Sequence, residues 1–416
     1  MTENRTGDLK MPTVFIISEY NPFHNGHAWQ IQKIREELQP ETIVAIMSGN
    51  FVQRGIPSIL DKFRRARMAV LGGCDLVVEL PSIYATSSAE FFATAGVRLA
   101  HAMDPDGTLS FGSESGNISE IVTAAELLRS RKPELDRQIR EELDKGYSFP
   151  KARLEAFRKV SGSPALAAVL ESPNNILAVE YVKAAMMMGS PLSYHTVKRK
   201  GLGYHDIATN DTVPEDQLPS ATAIRQALEQ GDLSYPLMAV PESTRSLFES
   251  DLSDSLLIDE EQLKSLIQYR LFLQPEALSE LPEAKDGLGE RILNHREKLS
   301  SLSLQDFSLK VKTRRFTYTR IRRLLIHLAL GFDAMDYDAL RRAEPSYARI
   351  LALNPAGQAF LGKTRKSRTI QLIQSAREIP VGTFRPDQNA SYLYSMLNPT
   401  YPQDADFTHQ LKVISL

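Results

Sequence analysis

The apolar positions change their period along the chain. "TVFIIS" (13–18), "TIVAIMSG" (42–49) and "DLVVELP" (75–81) are short apolar runs rich in β-branched residues. Stretches with helical periodicity lie between and after them. "GHAWQIQKIREEL" places Ile31, Ile34 and Leu38 on one helical face, and "FRRARMAVLGG" reads as a helix closing on glycines. "SSAEFFATAGVRLAHAM" is a further helix, while "GTLSFGSES" and "SYHTVKR" supply a fourth and a late fifth strand. Buried strands alternating with helices predict an α/β fold, a parallel sheet covered on both faces. Beyond about Pro241 the strand signal fades. "SLFESDLSDSLLIDEEQLKSLIQYRLFL" and "RRLLIHLALGF" read as amphipathic helices. The expected organisation is a disordered tail over 1–12, an α/β domain over 13–238 and a mostly α-helical C-terminal domain over 239–416, with no internal repeat.

Composition narrows the class. A single core seldom grows past about 250–300 residues, so 416 residues imply more than one domain. With 42% hydrophobic and 24% charged residues the chain is ordinary for a globular protein. A formal net charge of −2 requires any nucleic-acid surface to be a local patch. The one cysteine, Cys74, cannot form an internal disulfide, which fits a reducing compartment. In "CDLVVELP" it reads as a small buried thiol and not as a nucleophile. No apolar run approaches the roughly 18 residues of a membrane span. "MTENRTGDLK" lacks the hydrophobic core of a signal peptide, so a cytoplasmic location is expected.

The chemistry concentrates in "SEYNPFHNGH", Ser18–His27. The first strand ends at Ser18-Glu19, and a helix opens around Asn25-Gly26. In an open parallel sheet ligands bind at the carboxyl ends of strands, where helix N-termini also point. Free backbone N–H groups there favour an anion, and Gly26 leaves room for a phosphate to approach the backbone. His24 and His27, three apart, can face one side of the first turn and donate to phosphate oxygens. A metal site would want further ligands, and the HExxH pattern is absent; a structural histidine pair is the plainer alternative. In "PSATAIRQAL" Ser220 is a good helix cap, and Thr222 and Arg225 can offer a hydroxyl and a guanidinium to an anion. Taken alone that segment is an ordinary capped helix. Arg54 in "GNFVQRG" sits at another strand end as a candidate for phosphate or acetate. Lys62, Arg64, Arg65 and Arg67 read as a solvated charged face.

"HNGH" after a first strand resembles the HxGH signature of the nucleotidyltransferase superfamily, and "SATAIR" resembles its ISSTxIR segment. "EYNPFHNGH", "MSGNFVQRG", "DLVVELP", "FGSESG", "SPNNILAVEYV", "VKRKGLGYHD", "SATAIR", "RRFTYTRIRRLL" and "ARILALNPAGQAFL" occur in the order found in the bacterial tRNA(Met) cytidine acetate ligase family. The resemblance covers the chain from about residue 13 to 400. It implies a Rossmann-like ATP-binding domain, activation of acetate as acetyl-adenylate with release of pyrophosphate, and acetyl transfer to N4 of the wobble cytidine of elongator tRNA(Met). It further implies catalytic roles for His24, His27 and Arg225. ATP is expected along Ile17, Ser18, Glu19, Tyr20, Asn21, Pro22, Phe23, His24, Asn25, Gly26, His27 and Gln30, with Gly112, Asn174, Asn175, Arg199, Ser220 and Thr222. Mg²⁺ is expected to accompany ATP, with no metal site on the protein itself. Glu19 is a candidate base for the cytidine amine. Two alternatives stay open: a nucleotidyltransferase that makes a cofactor adenylate, and a non-catalytic nucleotide- and RNA-binding factor.

The expected RNA side lies in "LKVKTRRFTYTRIRRLLIHL", where Lys312, Arg314, Arg315, Arg320, Arg322 and Arg323 interleave with Phe316. Cations on backbone phosphate and aromatics under unpaired bases would give salt-sensitive binding. A solvated face over a core stripe is the plainer reading. Lys363 and Arg365 could extend the surface. "GQAFLGKT" (357–364) matches the P-loop pattern in full, yet Ala359, Phe360 and Leu361 look like a packed helix. No strand ending in a magnesium-binding Asp follows it. It is read as a false match.

Overall fold

The computed structural model describes residues 12–199, 218–253 and 258–415. The strands are β1 (Thr13–Ser18), β2 (Thr42–Ser48), β3 (Phe51–Val52), β4 (Ile56–Pro57), β5 (Leu76–Leu80), β6 (Thr108–Ser113), β7 (Ser193–Lys198), β8 (Tyr347–Leu353) and β9 (Gln371–Ile373). Seven of them form one sheet in the order β7-β6-β1-β2-β5-β8-β9, and β3 and β4 form a separate hairpin. The five strands expected from the apolar runs are all present, and they run parallel. Burial on both faces accounts for the near-continuous apolar sequences of β1, β2 and β5, whereas β7 at the sheet edge is more polar. After β1 the chain adds β2 and β5 on one side, then crosses back to place β6 and β7 on the other. The reversal leaves a crevice at the carboxyl ends of β1 and β6.

The C-terminal half corrects one expectation. Tyr347–Leu353 is buried throughout and pairs antiparallel with β5, Glu79 opposite Arg349 and Leu76 opposite Leu353. β9 then extends the sheet. "YARILAL" is a short apolar run of the kind that periodicity cannot assign to helix or strand. It becomes a strand because β5 offers it an open edge. Helices do dominate elsewhere in that half, including Glu260–Leu273, Leu304–Val311, Tyr318–Ala329 and Val381–Leu397. One buried apolar cluster runs from Val14 through Ile321 and Leu324 to Leu397. The boundary at 238/239 therefore does not separate two cores.

The charged run at the start of helix Lys62–Leu71 is a second correction, because Lys62 and Arg65 are buried. Their spacing of three puts both on the inner face. Lys62 Nζ lies 2.9 Å from Glu79 and 2.7 Å from Asp406, which Arg349 also engages. Burial pulls that ammonium's pKa down, but Asp406 and Glu79 more than offset it and hold it raised. Arg64 and Arg67 do reach solvent. Cys74 is buried as expected, and burial pushes its thiol up to about 12, which leaves it inert. Among the described residues no helix is long and apolar enough to cross a membrane.

Candidate active site

The chain leaves β1 through Tyr20, whose φ is 46°, and a cis Asn21–Pro22 peptide, then enters helix Asn25–Leu38. His24 is the residue that caps this helix. Its Nδ1 accepts from Gly26 N at 3.0 Å, and His27 Nδ1 accepts from His24 N at 3.3 Å. This is a reciprocal capping box built from two imidazoles. The consequence is chemical. A ring nitrogen that accepts a backbone N–H carries no proton, so each neutral imidazole keeps its proton on Nε2. The rings stack with centroids 3.7 Å apart. Burial, then the charges of Arg199 and Arg225, lower the His24 pKa to about 3. Burial, then His24 and Arg199, lower that of His27 well below the ordinary range. Both rings are neutral Nε2–H donors at physiological pH. A Cβ on Gly26 would stand 2.9 Å from His24 Cε1, so this position has no room for a side chain.

The second element is helix Ala221–Glu229. Ser220 Oγ accepts from Ala223 N at 3.2 Å, so this hydroxyl serves the helix cap. Arg225 donates to Asn21 O at 2.7 Å and to Thr222 Oγ1 at 3.3 Å, which lashes the helix to the β1 turn. The SATAIR segment and the histidine turn are therefore joined in space, as the two motifs together suggested.

The third side comes from the ends of β6 and β7. Glu114 accepts from Asn174 Nδ2 at 2.6 Å and from Asn175 N at 3.0 Å, and Asn175 Oδ1 accepts from Glu114 N at 2.9 Å. Asn174 Oδ1 in turn accepts from Arg199 at 3.4 Å. Gly112 faces Arg199, whose Cγ would lie 3.3 Å from an added Cβ. Arg54, on the β3–β4 hairpin, completes a group of guanidiniums. Burial first and the Arg54 charge second lower Arg225 to about 10. Burial first and Arg54 again lower Arg199, against an opposing pull from Glu114. The cleft is lined by His24, His27, Trp29, Gly112, Arg199 and Pro219, with Gly26, Gln30, Val197 and Leu218 completing it. It can hold a polyanion: the Arg199 guanidinium and two N–H donors line it, with Arg225 and Arg54 beside them, where the chain also offers a helix N-terminus.

Several expected contacts have other duties. Tyr20 and Phe23 are buried and pack edge-on, ring centroids 5.0 Å apart, so they support the turn from below. The Ile17 side chain faces Gly96 on helix Ala89–Met103, away from the cleft. Asn21 Oδ1 accepts from Ile59 N at 2.9 Å, and Asn25 Nδ2 donates to Met238 O at 3.0 Å. Glu19 Oε1 accepts from Gln53 N at 3.0 Å, tying β1 to the Arg54 hairpin. Ser18 ends β1, and Pro22 is buried. Sequence reasoning missed Trp29 and Glu114. Trp29 stands two residues past His27 in a segment read only for its apolar stripe, and Glu114 sits inside the quoted "FGSES". It also missed Arg65, which donates to Leu60 O at 2.9 Å, Glu19 O at 2.6 Å, Ser48 O at 3.1 Å and Gly49 O. That side chain staples the carboxyl ends of β1 and β2. Of "VKRKGLGYHD", residues 200–206 lie outside the described residues.

The basic segment divides. Lys312, Arg314 and Arg315 are exposed, Arg314 lying 4.0 Å over the Tyr147 ring. Arg320 is half-buried and donates to Glu283 O and Lys285 O, each at 3.0 Å. Phe316 is buried beneath Arg315 and Arg320 and Arg322 is 1% exposed, so neither presents a surface to RNA. Arg323 is half-buried. Ile321, Leu324, Leu325 and Leu328 form the expected core stripe, and helix periodicity carries Arg322 inward with it. Lys363 pairs with Glu41 at the surface, and Arg365 is exposed. "GQAFLGKT" lies in helix Pro355–Lys363, capped by Asn354, and a Cβ on Gly357 would strike the Asp75 carbonyl. Ala359, Phe360 and Leu361 lie in a helix as expected, while Gly357 belongs to that helix's first turn and serves its packing on the strand. Among the described residues no three His, Cys, Asp or Glu side chains are grouped to hold a metal ion.

The HIGH Nucleotidyl Transferase family model matches residues 11–409. A Clostridium tetani tRNA(Met) cytidine acetate ligase is 38% identical over 92% of this chain and 95% of its own length. That of Clostridium novyi is 35% identical over 94% and 97%. The apo crystal structure of Thermotoga maritima TmcAL superposes with a TM-score of 0.88 at 30% identity, covering 97% of this chain and 100% of that one. A second structure of that protein, bound with alpha-thio ATP, gives 0.86 at 29% identity over the same shares. The resemblance read from the motifs holds across the whole fold: the chain belongs to the tRNA(Met) cytidine acetate ligase family of HIGH nucleotidyltransferases.

Proposed function

We propose that this protein is an ATP-dependent tRNA-modifying ligase. It activates acetate as acetyl-adenylate, releases pyrophosphate and acetylates N4 of the wobble cytidine of elongator tRNA(Met). The observation that carries the reading is the histidine capping box. Its two Nδ1 atoms are held by the helix, which leaves two Nε2–H groups near Arg199 and Arg225, with Arg54 close to both guanidiniums, at the switch point of the sheet. Acetate oxygen attacks the α-phosphorus, and negative charge grows on the α-phosphoryl oxygens and on the departing pyrophosphate. Donors already oriented by the fold stabilise that charge without reorganising. The histidines do so as neutral hydrogen-bond donors, and the arginines as cations.

The second step needs a strong acyl donor, because the cytosine amine is conjugated into its ring and is a weak nucleophile. The mixed anhydride supplies one: the amine attacks the acetyl carbon, the bond to AMP breaks, AMP leaves, and the amine gives up a proton. An anticodon-loop base is already unpaired, so extruding it costs less than from a duplex. The exposed Lys312, Arg314 and Arg315 are the proposed contacts to tRNA phosphates, within the helical half proposed as the tRNA-binding domain. Among the described residues no acidic cluster fits a divalent cation, and Mg²⁺ enters this reading as the ion that ATP carries with it. The protein is proposed to act in the cytoplasm, where its substrates are found. Acetate-dependent exchange of labelled pyrophosphate into ATP, without tRNA, tests the first step. Exchange that requires acetate supports it, and exchange indifferent to acetate contradicts it.

A further inference from the structure

The tip of the β3–β4 hairpin, Gln53-Arg54-Gly55, is held from two sides. Glu19 takes the Gln53 N–H on one side. On the other, Gly55 lies against the backbone of helix Tyr318–Ala329 with φ 72°. A Cβ there would stand 2.5 Å from the Arg322 carbonyl carbon, so only glycine allows the approach. The Gly55 carbonyl accepts from Arg322 Nε at 3.3 Å, and another nitrogen of that guanidinium reaches Glu260 Oε1, also at 3.3 Å. The remaining nitrogen is buried without a partner.

Taking a guanidinium out of water is costly, and leaving one donor unmatched adds to that. A leucine at this point of the buried stripe would pack without that penalty. The arginine does something leucine cannot: it bonds the carbonyl next to Arg54. We propose that Arg322 is a positioning residue for the nucleotide site, a strut from the helical half that fixes the turn carrying Arg54, and not an RNA contact. The inference rests on the reading of Arg54 as a phosphate contact. It also joins the helix that begins beside the exposed basic segment rigidly to the ATP cleft.

The test is a double-mutant cycle on ATP affinity, measured by calorimetry on the full chain with neither tRNA nor acetate. Arg54→Ala and Arg322→Ala are each expected to weaken ATP about tenfold, the scale of one charged hydrogen bond. Because Arg322 acts through Arg54, the double variant should be no weaker than Arg54→Ala within about twofold. Affinity for tRNA should be unchanged in Arg322→Ala. If that variant does not fold, Arg322→Lys takes its place in the cycle, since it keeps the charge and loses the reach to both partners. Losses that multiply in the double variant would overturn the strut. So would unchanged ATP affinity in Arg322→Ala with weakened tRNA binding. An Arg54→Ala variant that binds ATP normally would instead overturn the underlying reading of Arg54.

Discussion

His24 and His27 stack with ring centroids 3.7 Å apart, and each Nδ1 accepts a backbone N–H of the first helical turn. The arrangement fixes the tautomer of both rings without a carboxylate partner. ¹⁵N NMR of the histidines is expected to show Nδ1 unprotonated and Nε2 protonated for both, unchanged from pH 8 to pH 5. A ring that titrates near pH 6.5 would contradict the assignment.

The same depressed pKa values carry a stability prediction. An unfolded histidine titrates near about 6.5, whereas His24 in the fold stays neutral down to about 3. Between those values the unfolded chain binds a proton that the fold refuses. The contribution is therefore fully present above about pH 6.5 and falls as pH drops toward 3. By pH 5 this histidine alone removes about 2 kcal/mol. His24→Asn keeps a side-chain acceptor at the cap and removes the titration. Urea unfolding at pH 7.5 and 5.0 should show the variant losing less stability than the parent; equal losses would count against the assignment.

That variant also separates scaffold from chemistry. His24→Asn is expected to retain the helix but to lower acetate-dependent pyrophosphate exchange by at least about 100-fold, the scale of removing one preorganised donor from a developing oxyanion. His27→Ala should do the same. Both should bind tRNA as the parent does. Near-normal exchange in either would remove the imidazoles from the reaction.

What could be read from the sequence depended on which physical rule a residue obeyed. The central strands β1, β2 and β5 were legible because burial on both faces leaves apolar runs. The two motifs were legible because capping and anion binding demand particular residue types at fixed spacing. Long side chains were misread wherever tertiary structure buried them. Lys62 and Arg65 look like surface charges until Glu79, Asp406 and the carbonyls of residues 19, 48 and 49 are brought to them. Arg322 looks like the exposed Arg314 and Arg315 until helix Tyr318–Ala329 forms and its phase carries the side chain inward. β8 was missed because its partner β5 is about 270 residues away in sequence, and an edge awaiting a strand leaves no local trace.

The exposed basic segment yields a salt prediction. Lys312→Ala with Arg315→Ala should weaken tRNA binding and reduce the slope of log affinity against log salt by about one to two. Acetate-dependent exchange should be unaffected. An unchanged slope would place the RNA elsewhere.

Lys363 provides a control against the P-loop pattern. It pairs with Glu41 at the surface, far along a helix whose glycine packs on Asp75. Lys363→Ala should leave ATP affinity and exchange within about twofold and stability within about 0.5 kcal/mol, as for other exposed pairs. Loss of adenylation would restore the P-loop reading.

The most direct measurement incubates the protein with ATP, labelled acetate and bulk bacterial tRNA, then digests the tRNA to nucleosides. Label is expected in N4-acetylcytidine of elongator tRNA(Met), dependent on ATP and matched by pyrophosphate. Pyrophosphate release with no label on any tRNA, or no ATP turnover at all, would contradict it.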